Sequence, residues 1–261
     1  LPSSCNSNYF GYIIVVTFQV GDRYYVKKII ILCALAASVA GCDDQNNTLS
    51  YTPEMASFSN EFDFDPLRGP VKDFSQTLIN EKGEVVKRIV GLISEEGCFN
   101  ELEFHDLENN TGATLVLDAN YYLDAITREK RVKLQGKCQL AELPSAAITY
   151  ETDDKGFVVA AHSEATSIVY NYDADGYPLG KVTTAKNDTL AIKAKSGSDN
   201  KKKLDYTSES TLNGKSIALV KQTCDYDGYF NPLECVLNIT DESVKPPKVE
   251  SYTIKNSINY Y

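Results

Sequence analysis

An all-β fold, an antiparallel meander of hairpins, is what this 261-residue chain predicts, and three observations predict it. Apolar and polar residues alternate strictly along several segments. A recurring acidic turn that ends in glycine divides those segments. No long stretch carries a convincing 3.6-residue apolar stripe, the mark of an amphipathic helix.

In chain order the first element is a leader. Lys27-Lys28 form a short positive region, and the apolar run Ile29–Ala37 follows it. That run is too short for a bilayer core, which takes about 20 residues. A basic start, a short apolar middle and small residues before a cut make residues 26–41 a secretory signal peptide. Val39-Ala40-Gly41-Cys42 resembles the bacterial lipobox, where the cysteine thiol takes a diacylglycerol before cleavage. A buried helix would also be apolar here. Cys42, however, stands at the lipobox distance from the apolar run, and two acids follow at once. Cys42 is therefore the expected lipidation site. Each buried methylene contributes about 0.8 kcal/mol, so two or three chains tie a protein to a bilayer where one would not. Asp43 and Asp44 resemble the signal that retains enterobacterial lipoproteins in the inner membrane, which predicts its periplasmic face.

Residues 1–25 precede that leader. The chain has one methionine, Met55, and Val26 stands directly before the two lysines. Valine codons can start bacterial translation, so Val26 is the expected start and residues 1–25 an upstream extension translated in error. The other reading makes Tyr9–Val20 a second apolar segment of a genuine leader.

Removing residues 1–41 takes three basic side chains and one acidic, leaving 23 against 35 and a net charge of −12. An acidic surface argues against nucleic acid, which is bound through clustered Lys and Arg. It also argues against docking on anionic lipid, so the membrane is reached through acyl chains. The basic run Lys201-Lys-Lys203 reads as a solvated loop. The exported part holds Cys98, Cys138, Cys224 and Cys235 besides Cys42. An even set in an oxidising compartment reads as disulfides. Of three possible pairings the expected one is Cys98–Cys138 with Cys224–Cys235, since the latter brackets a hairpin turn. A metal site is the competing reading, and it lacks a CxxC spacing and a histidine near any of these cysteines.

Residues 42–50 are a polar tether, and 51–261 a single β domain. Tyr51–Pro70, with Phe58, Phe62, Phe64 and Pro66, reads as an extended arm leading into the sheet. In Arg131–Leu140, Val132, Leu134, Cys138 and Leu140 face one way and the charged and amide side chains the other. Tyr252, Ile254, Ile258 and Tyr260 share a face, as do Cys235, Leu237 and Ile239; Leu204–Leu212 turns Asp205, Thr207, Glu209 and Thr211 outward. Asn120–Glu129 is weighed as a short helix and set aside, and Ala185–Lys203 reads as a flexible loop around a weak strand at Leu190–Lys193. The turns are Asn80–Gly83, Asp153–Gly156, Asp173–Gly176, Asp225–Gly228 and Asn213-Gly214, where glycine supplies positive φ and Asp or Asn caps the backbone. Ten to twelve strands result, curling as a curved sheet or half-barrel or folding over as a sandwich.

Candidate chemistry is thin. Glu101, Glu103 and His105 share a strand face and could ladder a metal or form an acid–base pair; a solvent-facing strand explains them more simply. His162 has no partner in sequence. Asp173-x-Asp175-Gly176 and Asp225-x-Asp227-Gly228 resemble the opening of a calcium loop, but Thr184 and Val236 occupy the closing glutamate's place. No GxSxG elbow, phosphate loop or dinucleotide fingerprint occurs. Tyr121, Tyr122, Tyr170, Tyr172, Tyr177, Tyr226 and Tyr229 could line a carbohydrate or peptide surface, or simply build a β core. No catalytic residue, metal or cofactor is expected.

The stretches Leu49–Phe74, Gly136–Ser145, Tyr172–Lys181 and Tyr252–Asn256 resemble the YnfC family of uncharacterised enterobacterial lipoproteins, and the similarity spans nearly the whole exported chain. The resemblance implies a lipid-bearing cysteine, which maps onto Cys42, and implies no activity. The leading expectation is a non-enzymatic, lipid-anchored periplasmic module that binds an envelope protein or component. A hydrolase or carbohydrate-processing enzyme using carboxylates is the runner-up, and a lipid carrier the third reading.

Overall fold

The computed structural model describes residues 13–20, 23–30, 50–196 and 199–261. Its first unit is a hairpin of β1 (Ile13–Val20) and β2 (Arg23–Ile30), paired from Ile13 against Ile30 to Val20 against Arg23. Lys27 and Lys28, read above as the opening of the leader, lie in β2. Cys42, Asp43 and Asp44 lie outside the described residues.

The second unit opens with one helix, α1 (Pro53–Phe62). Sixteen strands follow. They are β3 (Val71–Asn80), β4 (Val85–Ile93), β5 (Phe99–Asp106), β6 (Thr111–Asp118), β7 (Tyr121–Asp124), β8 (Lys130–Gln135), β9 (Gln139–Leu143), β10 (Ile148–Thr152), β11 (Val158–His162), β12 (Thr166–Tyr172), β13 (Pro178–Ala185), β14 (Asp188–Ser196), β15 (Tyr206–Leu212), β16 (Lys215–Tyr226), β17 (Pro232–Asp241) and β18 (Lys248–Tyr260). Each pairs antiparallel with the next. The last strand returns to the first, from Tyr252 against Asn80 to Tyr260 against Val71, and the sheet closes into a barrel.

That closure corrects the expected curved sheet, half-barrel or sandwich. The all-β antiparallel meander holds, but it has more strands than expected and no free edge. An open edge presents unpaired N–H and C=O groups; here β18 and β3 satisfy each other's. Pairing of residue 260 with residue 71 leaves no mark in local periodicity.

The alternation read from the sequence becomes an inside and an outside. On β15, Tyr206, Ser208 and Ser210 are buried within, while Thr207 and Glu209 face out. On β16, Ala218, Val220 and Gln222 are buried and Lys221 and Thr223 exposed. Val132 and Leu134, Leu237 and Ile239, and Tyr252 and Ile254 all point inward. The outer wall is polar. Exposed and half-buried apolar side chains interrupt it: Leu219 sits between Glu209 and Thr240, Val236 between Thr223 and Thr253, and Ala160, Val169, Val182 and Ala191 stand side by side across β11 to β14. A transmembrane barrel shows the opposite pattern, apolar outside and polar within.

The first part of the segment expected as an extended arm, Pro53–Phe62, is a helix, and it lies inside the barrel. Tyr51 N–H donates to Asp175 O at one barrel end (2.9 Å), and the chain returns to that end to begin β3. Thr52 Oγ1 caps Met55 N–H, Pro53 takes the first helical position and Glu54 the first turn. Met55 and Phe58 are buried. Phe58 stacks on Phe99 at 4.9 Å and meets the edge of Tyr122, whose hydroxyl donates to Phe99 O. With Phe74, Leu102, Leu115, Leu140 and Tyr170 they form the apolar core, which occupies the side of the lumen walled by β3 to β12.

The helix set aside for Asn120–Glu129 stays set aside, and one further expectation changes. Asn120–Glu129 contains strand β7 and then a turn in which Asp124 Oδ1 accepts from Ile126 N and Thr127 N. Asp188–Ser196, expected as loop around a weak strand, is the regular strand β14.

Candidate functional site: the polar seam between plug and wall

The helix needs help where it stops. Its last carbonyls have no partner within the helix, and leaving such groups unpaired away from water is costly. Two wall lysines meet them: Lys181 Nζ on β13 donates to Asn60 O at 2.9 Å, and Lys87 Nζ on β4 donates to Asp63 O. Cations at this end also suit the helix dipole. Burial pulls the Lys87 ammonium below its usual range, opposed by Asp63 and Asp106.

The plug's return path, Phe64 to Arg68, runs extended with no strand beside it. Wall amides take the place of a neighbouring strand. Gln76 on β3 accepts from Asp65 N–H (2.9 Å) and donates to Asp65 O (2.7 Å). Asn231 does the same for Arg68, at 2.7 and 2.8 Å. The Arg68 guanidinium lies over the Tyr51 ring at 4.7 Å, and Tyr51 packs on Tyr177 at 5.1 Å.

Asp65 is the deepest charge-bearing group, fully buried. Gln222 on β16 donates to its Oδ2 at 3.2 Å, and Oδ1 has no hydrogen-bond partner. Burial raises its pKa to about 7, against the pull of Gln222 and Lys87. Tyr177, also fully buried, leaves its hydroxyl unpartnered, as do Ser208 and Ser210 on the inward face of β15. Buried polar atoms in native proteins nearly always find partners. The fully buried Asp65 carboxyl, with one oxygen unpartnered, marks the seam as the candidate site.

Sequence reasoning missed Asp65, Gln222, Gln76 and Lys87, since no motif joins residues from four separate segments. Of the two readings weighed for the tyrosines, a β core is where Tyr122, Tyr170 and Tyr177 lie, while Tyr229 is exposed. Lys203, taken as part of a solvated run, is buried against Asp173 and Asp175. The acidic turns work by their own geometry. Asp153, Asp173 and Asp227 each accept from backbone N–H two and four residues on, as does Asn80. Glycine follows at positive φ in Gly156 and Gly176. The last turn starts at Asp227 rather than Asp225, and Phe230 takes the left-handed position at φ 61°. Among the described residues no group of three or more His, Cys, Asp and Glu side chains is placed to hold a metal.

Glu101, Glu103 and His105 lie on the outer face of β5, with His105 Nε2 3.3 Å from Glu103 Oε1. His162 gains the partners its sequence lacked: Ser167 Oγ at 3.2 Å from Nδ1 and Glu151 Oε1 at 3.5 Å from Nε2. Glu151 and His162 are exposed and Ser167 half-buried on adjacent strands, where ladder pairing already uses the backbone N–H groups an oxyanion would need. The cysteines pair as Cys98–Cys138 and Cys224–Cys235.

The chain matches the profile of an uncharacterised protein family, UPF0257, over residues 26–261. It belongs to that family. Similar UPF0257 proteins include the lipoprotein YnfC of Salmonella dublin and that of Escherichia coli O127:H6, each 60% identical over 236 residues, covering 90% of this chain and all of the relative. The Salmonella typhi lipoprotein YnfC is 59% identical over the same span. A porin-like protein from Bacteroides uniformis aligns over 75% of this UPF0257 chain and all of its own, with 9% identity and a TM-score of 0.40.

Proposed function

We propose that this UPF0257 chain is a lipoprotein anchored through Cys42 to the periplasmic side of the inner membrane, and that its barrel is a non-enzymatic binding module. The polar outer wall carries the reading. A barrel with Glu209, Lys221 and Lys255 on its outside stands in water, so residence at a membrane falls to acyl chains. The relatives' name, lipoprotein, supports the same anchor. The family match beginning at Val26 supports translation from that codon, with residues 26–41 as the signal peptide and residues 51–261 as one periplasmic domain.

The runner-up enzyme draws on carboxylates, and the seam offers a single fully buried one, Asp65, among amides and tyrosines. A lipid carrier would need the apolar side of the lumen free, and α1 fills it. Binding of an envelope partner is the reading these observations favour.

The anchor is tested by Cys42→Ser with radiolabelled palmitate. Incorporation into the wild type alone, with loss of membrane association in the variant, is expected; label on the variant would refute the site. Crosslinking in intact cells followed by mass spectrometry tests the module. Enrichment of one envelope component is expected, and its absence would remove the binding reading.

A further inference from the structure

We propose that the barrel end at which the chain enters from Cys42 docks on the bilayer, seating Tyr229 and Tyr261 among the lipid headgroups. The inference deepens the lipoprotein reading and rests on it. Acyl chains hold the protein, and this rim sets which end faces the lipid.

Contacts fix the entry point. Tyr51 N–H donates to Asp175 O in the turn between β12 and β13, and the Tyr51 ring lies under the Arg68 guanidinium. Arg68 Nη2 donates to Asn200 O between β14 and β15 at 3.2 Å, and Arg68 N–H to Asn231 Oδ1 between β16 and β17. In a barrel of successive antiparallel strands alternate connections share an end, so these three loops form one rim. Ser50 is exposed there. The eight steps from Cys42 to Ser50 span at most about 29 Å when fully extended. An acylated Cys42 keeps the rim within that distance of the membrane. So short a link gives an effective concentration on the order of millimolar, and a contact too weak for a free protein suffices.

The side chains of the rim are the second observation. Among the described residues of this unit Tyr229 and Tyr261 are the only exposed aromatics, and both stand at this end. Both are held in place. Tyr229 stacks on Tyr260 at 4.2 Å, and Tyr261 N–H donates to Pro70 O at 3.0 Å beside the start of β3. Leu92 and Leu233 add exposed apolar surface at the same end. Tyrosine pairs an apolar ring with a polar tip and gathers at membrane–water interfaces for that reason. The opposite rim exposes Leu107 and Val244. Val244 lies past the far end of β17, about 30 Å of strand away.

Charge does not drive the contact. Lys201 and Lys202 are exposed on the rim, with Lys201 over the Phe230 ring at 5.1 Å, but Asp199, Asp225 and Glu234 are exposed there too. The partner is a zwitterionic lipid surface, entered by rings.

The chain has no tryptophan, so one introduced indole reports one position. The lipidated full-length protein is reconstituted in phosphatidylcholine vesicles with and without bromine on the acyl chains. Tyr229→Trp should lose most of its emission to bromine, and Val244→Trp should keep its own. If Tyr229→Trp does not fold, Leu233→Trp carries the same comparison. Vesicle flotation of the same samples separates docking from anchoring. Floating protein whose Tyr229→Trp and Leu233→Trp variants are both unquenched is anchored and undocked, which overturns this proposal alone. Equal quenching of Val244→Trp overturns it too. So does a blue shift of Tyr229→Trp that ignores bromine, the result a second copy or a protein partner on the rim would give. Protein that fails to float removes the anchor at Cys42 and this contact with it.

Discussion

Lys203 Nζ lies 2.6 Å from Asp173 Oδ2 and 2.9 Å from Asp175 Oδ2, at the barrel end where the plug begins and ends. Asp173 serves two structures at once, because its other oxygen caps the turn that holds Tyr177. Both members of the closer pair are nearly inaccessible, with side-chain exposures of 5% and 1%. Breaking such a pair from one side leaves an uncompensated buried charge and costs about 3–5 kcal/mol. Lys203→Met should lower the unfolding free energy by that order in urea titrations. Adding Asp173→Asn, which keeps the turn acceptor and removes the charge, should restore much of the loss. A double variant no better than the single one would contradict this account.

Asp65 makes stability depend on pH with a definite sign. Its carboxyl titrates at about 7 in the folded barrel and near 3.9 when unfolded. Between those values the native state holds more protons than the unfolded chain, so stability falls as pH rises. The contribution is complete below about pH 4 and lost as pH passes about 7, on the order of 4 kcal/mol for three pH units. Asp65→Asn stays neutral throughout. It should match the wild type near pH 4 and exceed it at pH 8, measured as denaturant midpoints across that range. A wild-type curve that stays flat from pH 4 to 8 would refute the assignment.

How far the sequence reaches depends on whether the deciding contact is local. Alternation placed Val132, Leu134, Leu237 and Tyr252 on the buried face because a strand's two sides are written residue by residue. The acidic turns were readable for the same reason, apart from the shift to Asp227, where Phe230 takes a position that glycine would advertise. Helix α1 does leave a local signal: Thr52-Pro53-Glu54 is a helix start, and Met55, Phe58 and Phe62 fall on one face. Its aromatic content instead suggested extended chain. Barrel closure and the Asp65 seam were illegible, since Gln76, Lys87, Lys181 and Gln222 meet the plug only after the whole sheet has wrapped around it.

The two disulfides should contribute unequally. Cys98–Cys138 closes a span of 40 residues across β5 to β8, and Cys224–Cys235 a span of 11 within one hairpin. Loop-closure entropy puts their contributions at about 4 and about 3 kcal/mol. Cys98→Ser with Cys138→Ser should therefore lower the melting temperature more than Cys224→Ser with Cys235→Ser, by differential scanning calorimetry without reductant. Four free thiols in the exported protein would show instead that neither bridge forms in the cell.

The choice of membrane rests on two side chains beside the anchor. If Asp43 and Asp44 retain the lipoprotein at the inner membrane, the signal lies in their charge next to the acylated cysteine and is independent of the barrel. Asp43→Ser with Asp44→Ser leaves the lipobox Val39–Cys42 intact, so acylation should continue at the wild-type level. The variant should then move from the light inner-membrane fraction to the heavy outer-membrane fraction on a sucrose gradient. Palmitate labelling in the same cells separates sorting from anchoring: a labelled protein that stays in the light fraction would refute the retention role. Lost label would mean that the acids act on acylation itself.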